Sequence, residues 1–242
     1  MAEVKPYAAQ GEKKEQVAAM FNNIAPTYDF LNHFFSLGID VLWRKKALRI
    51  LKKENPEVVL DVATGTADFP IEAVRMNIGA SKIVGVDISA GMLEVGRKKI
   101  AKRHLESQIE LVEADSEQLP FEDASFDAFT VAFGVRNFQH LDKGLAEMLR
   151  VLKPGALGIV LEFSKPKGFP VKQLFGFYFK YIVPLIGRLV SKDARAYQYL
   201  PESVNAFPSG DDFLAVMNKL GYRDTRCISL SGGIASIYMG RK

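Results

Sequence analysis

The segment from Val58 to Asp87 constrains the fold more than any other part of this chain. An apolar run ends at Asp61, small residues follow at 63–68, a stretch with helical spacing comes next, and a second apolar run ends at Asp87. This order is typical of one nucleotide-binding half of a doubly wound sheet, which consists of a strand, a tight loop, a helix and a second strand with a terminal acid. The loop lets backbone N–H groups approach a ligand, and the terminal carboxylate can accept hydrogen bonds from both hydroxyls of a ribose. The segment therefore predicts a nucleoside ligand without specifying which one.

The rest of the chain extends this unit into a larger α/β sheet. Five further runs have the character of strands, at 109–114, 126–133, 157–163, 223–230 and 234–239. The regular alternation with helical patterns breaks at 166–208, which we interpret as a helical insertion. We predict a doubly wound, mostly parallel seven-stranded sheet with an antiparallel last strand. By analogy of fold alone, that ending is typical of Rossmann-like class I S-adenosylmethionine-dependent methyltransferases.

Helical patterns precede the sheet. Apolar residues at helical spacing predict a short helix at 13–24 and a second helix at 38–53, with an aromatic-rich segment of no clear period between them. Residues 1–12 have the composition of a frayed arm. We expect one domain overall, in which an N-terminal helical segment (1–55) covers the active site of the ligand-binding domain (56–242).

Composition bounds the class of protein. The chain has 242 residues, a formal net charge of +4 and a single cysteine, Cys227, which excludes an internal disulfide and a cysteine-based metal cluster. No uncharged apolar run reaches the roughly 18 residues that span a bilayer, and the N-terminus lacks an apolar signal core. We therefore predict a cytoplasmic protein without a metal. Its mildly basic charge is compatible with contact at an anionic membrane surface.

Two long blocks of sequence are more specific than the fold. Residues 28–43 and 150–164 closely resemble signatures of the menaquinone and ubiquinone biosynthesis C-methyltransferases, and the shorter blocks 117–121 and 133–137 are similar to that family as well. The resemblance extends from about 13 to 242 with the blocks in order. It implies a methyltransferase that uses S-adenosylmethionine to methylate the reduced ring of demethylmenaquinol, giving menaquinol. A 2-polyprenyl-6-methoxy-1,4-benzoquinol of the ubiquinone pathway is a further acceptor that the resemblance allows.

The chain departs from the family's patterns in places. Thr64 and Ala67 occupy loop positions where glycine is common, so that Gly65 alone remains, and Asp40 stands where a histidine is often found. Alanine adopts a positive φ only at a cost. None of these departures removes an obvious chemical group.

The resemblance also implies which residues hold the donor. Thr66 is expected at the methionine end, Asp87 at the ribose hydroxyls, and Asp115 with Ser116 at the adenine. The alternatives are that Asp87 caps the following helix and that Asp115 forms a turn. Gly65 would contribute loop backbone. For Asp61 two interpretations stand equally: it contacts the ligand or it orders the loop.

Candidate acceptor residues lie in two other places. Arg136 and Asn137 follow the fourth strand at the carboxyl edge, where Arg136 can stabilise a phenolate and Asn137 can hydrogen-bond a ring oxygen. The alternative for Arg136 is an ion pair with an acid on a neighbouring loop. Tyr28 and Asp29 can approach the donor from the N-terminal segment, or can serve only to fix that segment.

The segment 169–189 places aromatic and aliphatic residues near helical spacing, with basic residues interspersed. It either admits a polyprenyl tail at a membrane surface or packs on the sheet as a helix kinked at Pro184. We expect no nucleic-acid partner, because no (Asn/Asp)-Pro-Pro-aromatic motif or dense basic stripe is present; a homodimer stays open. Three alternative functions remain: methylation of another small or lipid acceptor, NAD(P)-dependent oxidation, and non-catalytic nucleoside binding. The three-glycine fingerprint of NAD(P)-dependent oxidoreductases is absent from this sequence.

Overall fold

A single seven-stranded sheet forms the centre of the computed structural model, which describes residues 4–7, 10–36, 38–182 and 194–242. Its strands are β1 (Val58–Val62), β2 (Lys82–Asp87), β3 (Ile109–Glu113), β4 (Phe126–Ala132), β5 (Leu152–Phe163), β6 (Arg223–Leu230) and β7 (Ala235–Arg241). Their spatial order is β3-β2-β1-β4-β5-β7-β6, and β7 runs antiparallel to both of its neighbours while the other pairs are parallel. The predicted fold class is confirmed.

Helices cover both faces of this sheet. They are α1 (Lys13–Ser36), α2 (Ile39–Lys52), α3 (Asp68–Arg75), α4 (Ala90–Ala101), α5 (Leu141–Val151), α6 (Val171–Phe177), α7 (Ala194–Ala206) and α8 (Asp211–Lys219). Alternate strand residues face opposite layers. Leu60 packs in the core with α5 and α8, whereas its neighbour Val59 packs with α2 and α3. Because both faces are covered, the central strands are apolar on both sides, as their sequences predict.

Helix α1 corrects one prediction. It continues through Pro26 to Ser36 instead of ending at 24, so the aromatic-rich segment is helical. A proline inside a helix removes one hydrogen bond and crowds the preceding turn, and burial compensates for this here. Met20 and Ile24 of α1 pack in a core with Met92 of α4 and with α7. The expected frayed arm is also partly packed, because Val4 and Tyr7 contact the same core.

The start of β5 also differs from prediction. The strand begins at Leu152, directly after α5, and not at 157. Leu152 pairs with Phe126, and the register shifts before Ala128 pairs with Leu157. This irregularity accommodates Pro154 and the residues beside it, which cannot continue a regular ladder.

The insertion contains α6, a π-helical turn (Tyr178–Ile182) and α7 in its described part. The predicted kink at Pro184 lies outside the described residues. Across the described ranges, no helix is both long and apolar enough to cross a membrane.

Candidate functional site

The loop between β1 and α3 forms the floor of a pocket at the carboxyl edge of the sheet. Thr64 N–H donates to the Val86 carbonyl at 3.0 Å, and Ala67 N–H donates back to the Thr64 carbonyl at 3.0 Å. Three loop residues have left-handed backbones: Ala63 (φ 53°), Gly65 (φ 56°) and Ala67 (φ 63°). The loop thus makes the turn with two alanines in a conformation that costs an L-residue about 1–2 kcal/mol each.

Packing compensates part of that cost at Ala67. Its side chain is fully buried in a small core with Ile100 and Ile109. A glycine would relax the backbone there but would lose these methyl contacts. The loop therefore accommodates Ala67 at a position where glycine is common.

Asp87 ties this loop to the next strand. Its Oδ2 accepts from Gly65 N–H at 2.8 Å and its Oδ1 accepts from Ser89 N–H at 2.9 Å. Burial raises the pKa of Asp87, and the hydrogen bonds from the Ser89 and Gly65 backbones oppose that rise. The N-cap of α4 is Ser89, whose Oγ accepts from Met92 N–H at 3.3 Å. Ser89 and not Asp87 is therefore the N-cap of α4, and Asp87 lines the pocket.

We call the pocket bounded by these strand ends the edge pocket. Its lining includes these predicted site residues: Tyr28, Gly65, Asp87, Asp115, Ser116 and Asn137. The carboxyl ends of β1, β2, β3 and β4 supply most of its floor. Topology brings these groups together although they come from distant parts of the chain.

Asp61 lies below the loop and is not among the lining residues of the edge pocket. It is 1% exposed, and its Oδ1 accepts from Thr130 Oγ1 at 2.6 Å. Burial raises the pKa of Asp61 to about 7, against the hydrogen bond from Thr130. Asp61 is therefore held to β4 beneath the loop, and both interpretations left open by the sequence stay predictions.

Thr66 and Asp29 lie together, away from the edge pocket. Thr66 Oγ1 donates to Asp29 Oδ1 at 2.5 Å, and Lys99 Nζ donates to Asp29 Oδ2 at 2.8 Å. Neither Thr66 nor Asp29 is among the residues lining the edge pocket. Asp29 therefore fixes α1 against α4, while its neighbour Tyr28 faces the pocket.

A second space adjoins the edge pocket, and we call it the apolar cavity. It has a volume of about 290 Å³ and is walled by α1, α2, the described part of the insertion and the ends of β4 and β5. Four residues line both spaces: Phe21, Tyr28, Phe133 and Asn137. The two spaces therefore meet at one junction.

An aromatic wall forms one side of the apolar cavity. The Trp43 ring lies 6.2 Å from the rings of Phe133 and Phe163, which are 4.8 Å from each other. Trp43 is buried in the core and also lines this cavity. Such a wall can hold a flat aromatic ring.

Arg136 lines the apolar cavity and is paired with a buried acid. Its Nη1 donates to Glu162 Oε1 at 2.8 Å and also to the Phe133 carbonyl, and its guanidinium lies 5.5 Å from the centre of the Phe163 ring. Burial raises the pKa of Glu162, and the charge of Arg136 opposes that rise. The structure contains an ion pair, which was the alternative considered for Arg136. The acid, Glu162, lies near the end of β5 and not on a neighbouring loop.

On the wall of the apolar cavity, Arg136 Nε and Asn137 Oδ1 are buried and lack a hydrogen-bond partner among the described residues. Leaving such groups unsatisfied costs about 1–3 kcal/mol each. Unpaired polar atoms at the wall of a cavity are expected where a ligand supplies the missing partner.

Sequence reasoning missed three residues that contribute to the site: Lys13, Lys14 and Glu162. Lys13 Nζ donates to the Phe138 carbonyl at 2.8 Å, and Lys14 Nζ lies 3.4 Å from Asp115 Oδ2, so the start of α1 is bound across the edge pocket. Both lysines belong to a charged run that is typical of a solvated surface. Glu162 carried a clearer signal, because it is an acid within an otherwise apolar buried strand.

Comparison with known proteins decides the family. The model of the ubiE/COQ5 methyltransferase family matches residues 9–242. The chain belongs to this family. The demethylmenaquinone methyltransferases of Bacteroides fragilis and Porphyromonas gingivalis are 47% and 46% identical to it, over 99% of this chain and 97% and 98% of theirs. The ubiquinone/menaquinone biosynthesis C-methyltransferase UbiE of Geobacter sulfurreducens is 46% identical, over 96% of this chain and 90% of that protein. The family resemblance predicted from the sequence blocks is confirmed.

Solved structures agree at the level of the fold. A putative S-adenosyl-L-methionine-dependent methyltransferase of Methanococcus maripaludis has a TM-score of 0.62 at 20% identity, over 100% of this chain and 97% of that one. Phosphoethanolamine N-methyltransferase 2 of Haemonchus contortus, in complex with S-adenosyl-L-methionine, has a TM-score of 0.60 at 16% identity, over 82% of this chain and 52% of that one. At such identities the likeness supports the class I methyltransferase fold alone.

Proposed function

We propose that this protein transfers a methyl group from S-adenosylmethionine to a ring carbon of a polyprenyl quinol, with demethylmenaquinol as the acceptor and menaquinol as the product. One observation carries the proposal. The edge pocket, which contains three acidic side chains, and the apolar cavity share the lining residues Phe21, Tyr28, Phe133 and Asn137. A nucleoside donor and an apolar aromatic acceptor can therefore reach the same point from opposite sides.

The residues of the edge pocket fit the donor. Asp87 offers a fixed carboxylate at the end of β2, the position that holds ribose hydroxyls in such sheets, and Asp115 with Ser116 follows β3. We assign Asp87 to the ribose and Asp115 with Ser116 to the adenine. Because the Thr66 hydroxyl is engaged with Asp29, any role of Thr66 at the methionine end falls to its backbone. Once bound, S-adenosylmethionine supplies an electrophilic methyl group on a sulfonium.

Arg136 and Asn137 are assigned to the acceptor. A quinol carbon becomes a better nucleophile as the adjacent hydroxyl loses its proton, so a group that stabilises phenolate promotes the reaction. Arg136 supplies a positive charge, and Glu162 and Phe163 hold its guanidinium in place. Asn137 Oδ1 can accept a hydrogen bond from a ring hydroxyl. The apolar walls exclude water and so strengthen these interactions.

We also propose that residues 1–55 act as a cover for the site within one domain. Met20, Phe21, Ile24 and Tyr28 of α1 all line the apolar cavity, and α2 forms a neighbouring wall. Asp29 holds this cover to α4 through Lys99. Tyr28 then lies at the junction of the two ligands.

Labelled S-adenosylmethionine, incubated with a panel of demethylated acceptors, tests this function. The panel contains demethylmenaquinol, a 2-polyprenyl-6-methoxy-1,4-benzoquinol and an unrelated lipid alcohol, and the products are analysed by mass. We expect carbon-bound methyl on demethylmenaquinol. Transfer to none of the quinols would refute the proposal, and calorimetric binding of NADH without binding of S-adenosylmethionine would favour an oxidoreductase instead.

We propose, finally, that the insertion contacts a membrane surface and admits the polyprenyl tail. Phe169, Phe177 and Tyr181 are 84%, 59% and 53% exposed, and the exposed Leu174 also lines the apolar cavity. Large exposed apolar side chains beside a cavity mouth favour a lipid surface.

Phe177→Ser tests that contact. The variant should bind anionic liposomes less in co-sedimentation and should lose kcat/KM on a long-tailed quinol while keeping it on a short-tailed one. The short-tailed substrate controls for damage to the catalytic centre. No liposome binding by the wild type, together with unchanged activity of the variant on the long-tailed substrate, would refute membrane contact.

A further inference from the structure

The outer surface of helix α2 is amphipathic along its length. The inner side of the helix is buried on the sheet through Trp43, Ala47, Leu48 and Leu51. The outer side carries exposed residues that are spaced by three or four positions, and this spacing places them in one line along a helix. We call this line the α2 stripe, and its members are Ile39, Leu42, Lys46, Arg49 and Lys53. The stripe begins with two apolar residues and continues with three cations.

The basic part of the stripe has no acidic neighbour. The side chains of Lys46, Arg49 and Lys53 are exposed, and none of them forms an ion pair or a hydrogen bond with a residue in the described ranges of the chain. Asp40, the acid within α2, is 4% exposed and lies away from the stripe. Three uncompensated positive charges in a row favour an anionic surface as the partner.

The apolar part of the stripe adjoins the mouth of the apolar cavity. Ile39 of α2 and Leu174 of α6 both line the cavity, and they are 37% and 65% exposed, so they mark where the cavity opens to the outside. Leu42, which is 63% exposed, lies about one turn further along α2. Exposed apolar side chains clustered at an opening indicate contact with an apolar phase.

The turn between β6 and β7 holds α2 and α6 in one region of the surface. Trp43 Nε1 of α2 donates to Ser231 Oγ of this turn at 2.9 Å. Val171 of α6 packs against Gly232 of the same turn, where an added Cβ would lie 3.0 Å from Val171 Cγ2. The exposed apolar residues of the two helices therefore surround a single opening.

We propose that the α2 stripe docks this protein on an anionic phospholipid bilayer, with Ile39 and Leu42 among the acyl chains and the three cations at the lipid phosphates. The inference deepens the proposed function, on which it rests for the identity of the acceptor, and it adds an electrostatic contact to the one proposed for the insertion. Lysine and arginine side chains are long enough to reach phosphates while their stems cover apolar surface. The cavity mouth then opens into the bilayer, and a polyprenyl tail enters without crossing water.

A bilayer fits this surface better than an acidic protein does. An acidic protein could pair with the cations, but a protein seated over Ile39, Leu42 and Leu174 would close the opening through which the acceptor enters. A fluid bilayer covers the same apolar side chains and also supplies the acceptor. The combination of apolar mouth and basic stripe therefore selects the lipid surface.

Vesicle co-sedimentation without donor or acceptor tests the docking. The vesicles contain either phosphatidylcholine alone or equal parts of phosphatidylcholine and phosphatidylglycerol. The test variant is Lys46→Gln/Lys53→Gln. Its matched control is Lys143→Gln/Lys219→Gln, which removes the same charge from exposed lysines of α5 and α8, on the opposite face of the sheet.

We expect the wild type to bind the anionic vesicles and to be released by salt, because salt screens exposed charges. The test variant should bind about thirtyfold more weakly, since each cation near such a surface contributes about fivefold in affinity. The control variant should bind as the wild type does. Leu42→Ser, which leaves the charge unchanged, should bind about tenfold more weakly.

Three results would overturn the proposal. They are the absence of wild-type binding to anionic vesicles, an equal loss of binding in the two double variants, and a loss of binding in Phe177→Ser with none in Lys46→Gln/Lys53→Gln. The last result would assign the membrane contact to the insertion alone.

Methyl transfer to a short-tailed quinol in solution separates this inference from the proposed function. Lys46→Gln/Lys53→Gln should keep the wild-type rate in that assay and should lose kcat/KM on a long-tailed quinol presented in anionic vesicles. Vesicle binding that depends on the stripe would support the docking even if no quinol were methylated. Equal kcat/KM of the wild type and this variant on the vesicle-bound quinol would contradict the docking while leaving the proposed reaction intact.

Discussion

The buried carboxylate of Asp61 predicts a specific pH dependence of stability. Asp61 is 1% exposed beneath the β1–α3 loop, and burial raises its pKa from 3.8 to about 7. The folded state therefore binds the proton more tightly than the unfolded state. Stability from this group is fully present below pH 3.8 and is lost as the pH rises through about 7.

The size of the effect follows from the shift. One pKa unit corresponds to about 1.4 kcal/mol, so relative to low pH the shift lowers the free energy of unfolding by roughly 2 kcal/mol at pH 5, where only the unfolded state has ionised, and by roughly 4 kcal/mol at pH 8, where both states have ionised. Asp61→Asn removes the titration and leaves an amide oxygen that can still accept from Thr130. We expect the variant to gain about 2–3 kcal/mol relative to the wild type between pH 5 and pH 8.

Urea unfolding at several pH values measures this difference. Asp127→Asn is a matched control, because hydrogen bonds from Lys153 and the Val58 N–H outweigh partial burial and lower the Asp127 pKa. That carboxylate stays ionised between pH 5 and pH 8, and its variant should keep the wild-type pH dependence. Parallel curves for wild type and Asp61→Asn would refute the burial argument.

Three further predictions concern the site and its loop. Asp87→Ala should weaken S-adenosylmethionine binding about tenfold or more in calorimetry, with turnover at saturating donor largely retained; unchanged affinity would contradict the ribose assignment. Arg136→Ala should lower kcat about a hundredfold at unchanged donor affinity, and normal turnover would exclude its role. Ala63→Gly should add about 1 kcal/mol to the free energy of unfolding, because glycine relieves the left-handed backbone. Ala19→Gly, on the exposed face of α1, is the control and should remove about 1 kcal/mol. Equal changes in the two variants would show that the backbone at Ala63 is not strained.

Much of the edge pocket was predictable because local pattern decides where a strand ends. Asp61 and Asp87 close apolar runs, and Asp115 follows a third one. Parallel strands place such ends at one edge of the sheet, so the three acids were expected near one another without any coordinates. Two of them, Asp87 and Asp115, line the edge pocket, whereas Asp61 lies inside β1, which continues to Val62, and below the loop.

Other features depended on packing between distant segments. The course of α1 through Pro26 follows from burial against α4 and α7, which outweighs the local preference of proline. The pairing of Arg136 with Glu162 joins residues on two different strand ends, and that of Asp29 with Lys99 joins two helices. No local period encodes such contacts.

By itself, the sequence determined the sheet, its reversed last strand, the family, and the acids Asp87 and Asp115 at or just beyond the ends of β2 and β3. Each of these follows from periodicity, from residues that terminate strands, or from blocks of contiguous residues. Only the tertiary structure decided that Asp29 contacts Thr66 and Lys99, that Glu162 holds Arg136, and that two pockets share lining residues. The physical reason is that long-range packing and charge pairing depend on where the helices pack against the sheet. These contacts stabilise the protein only once the core is assembled.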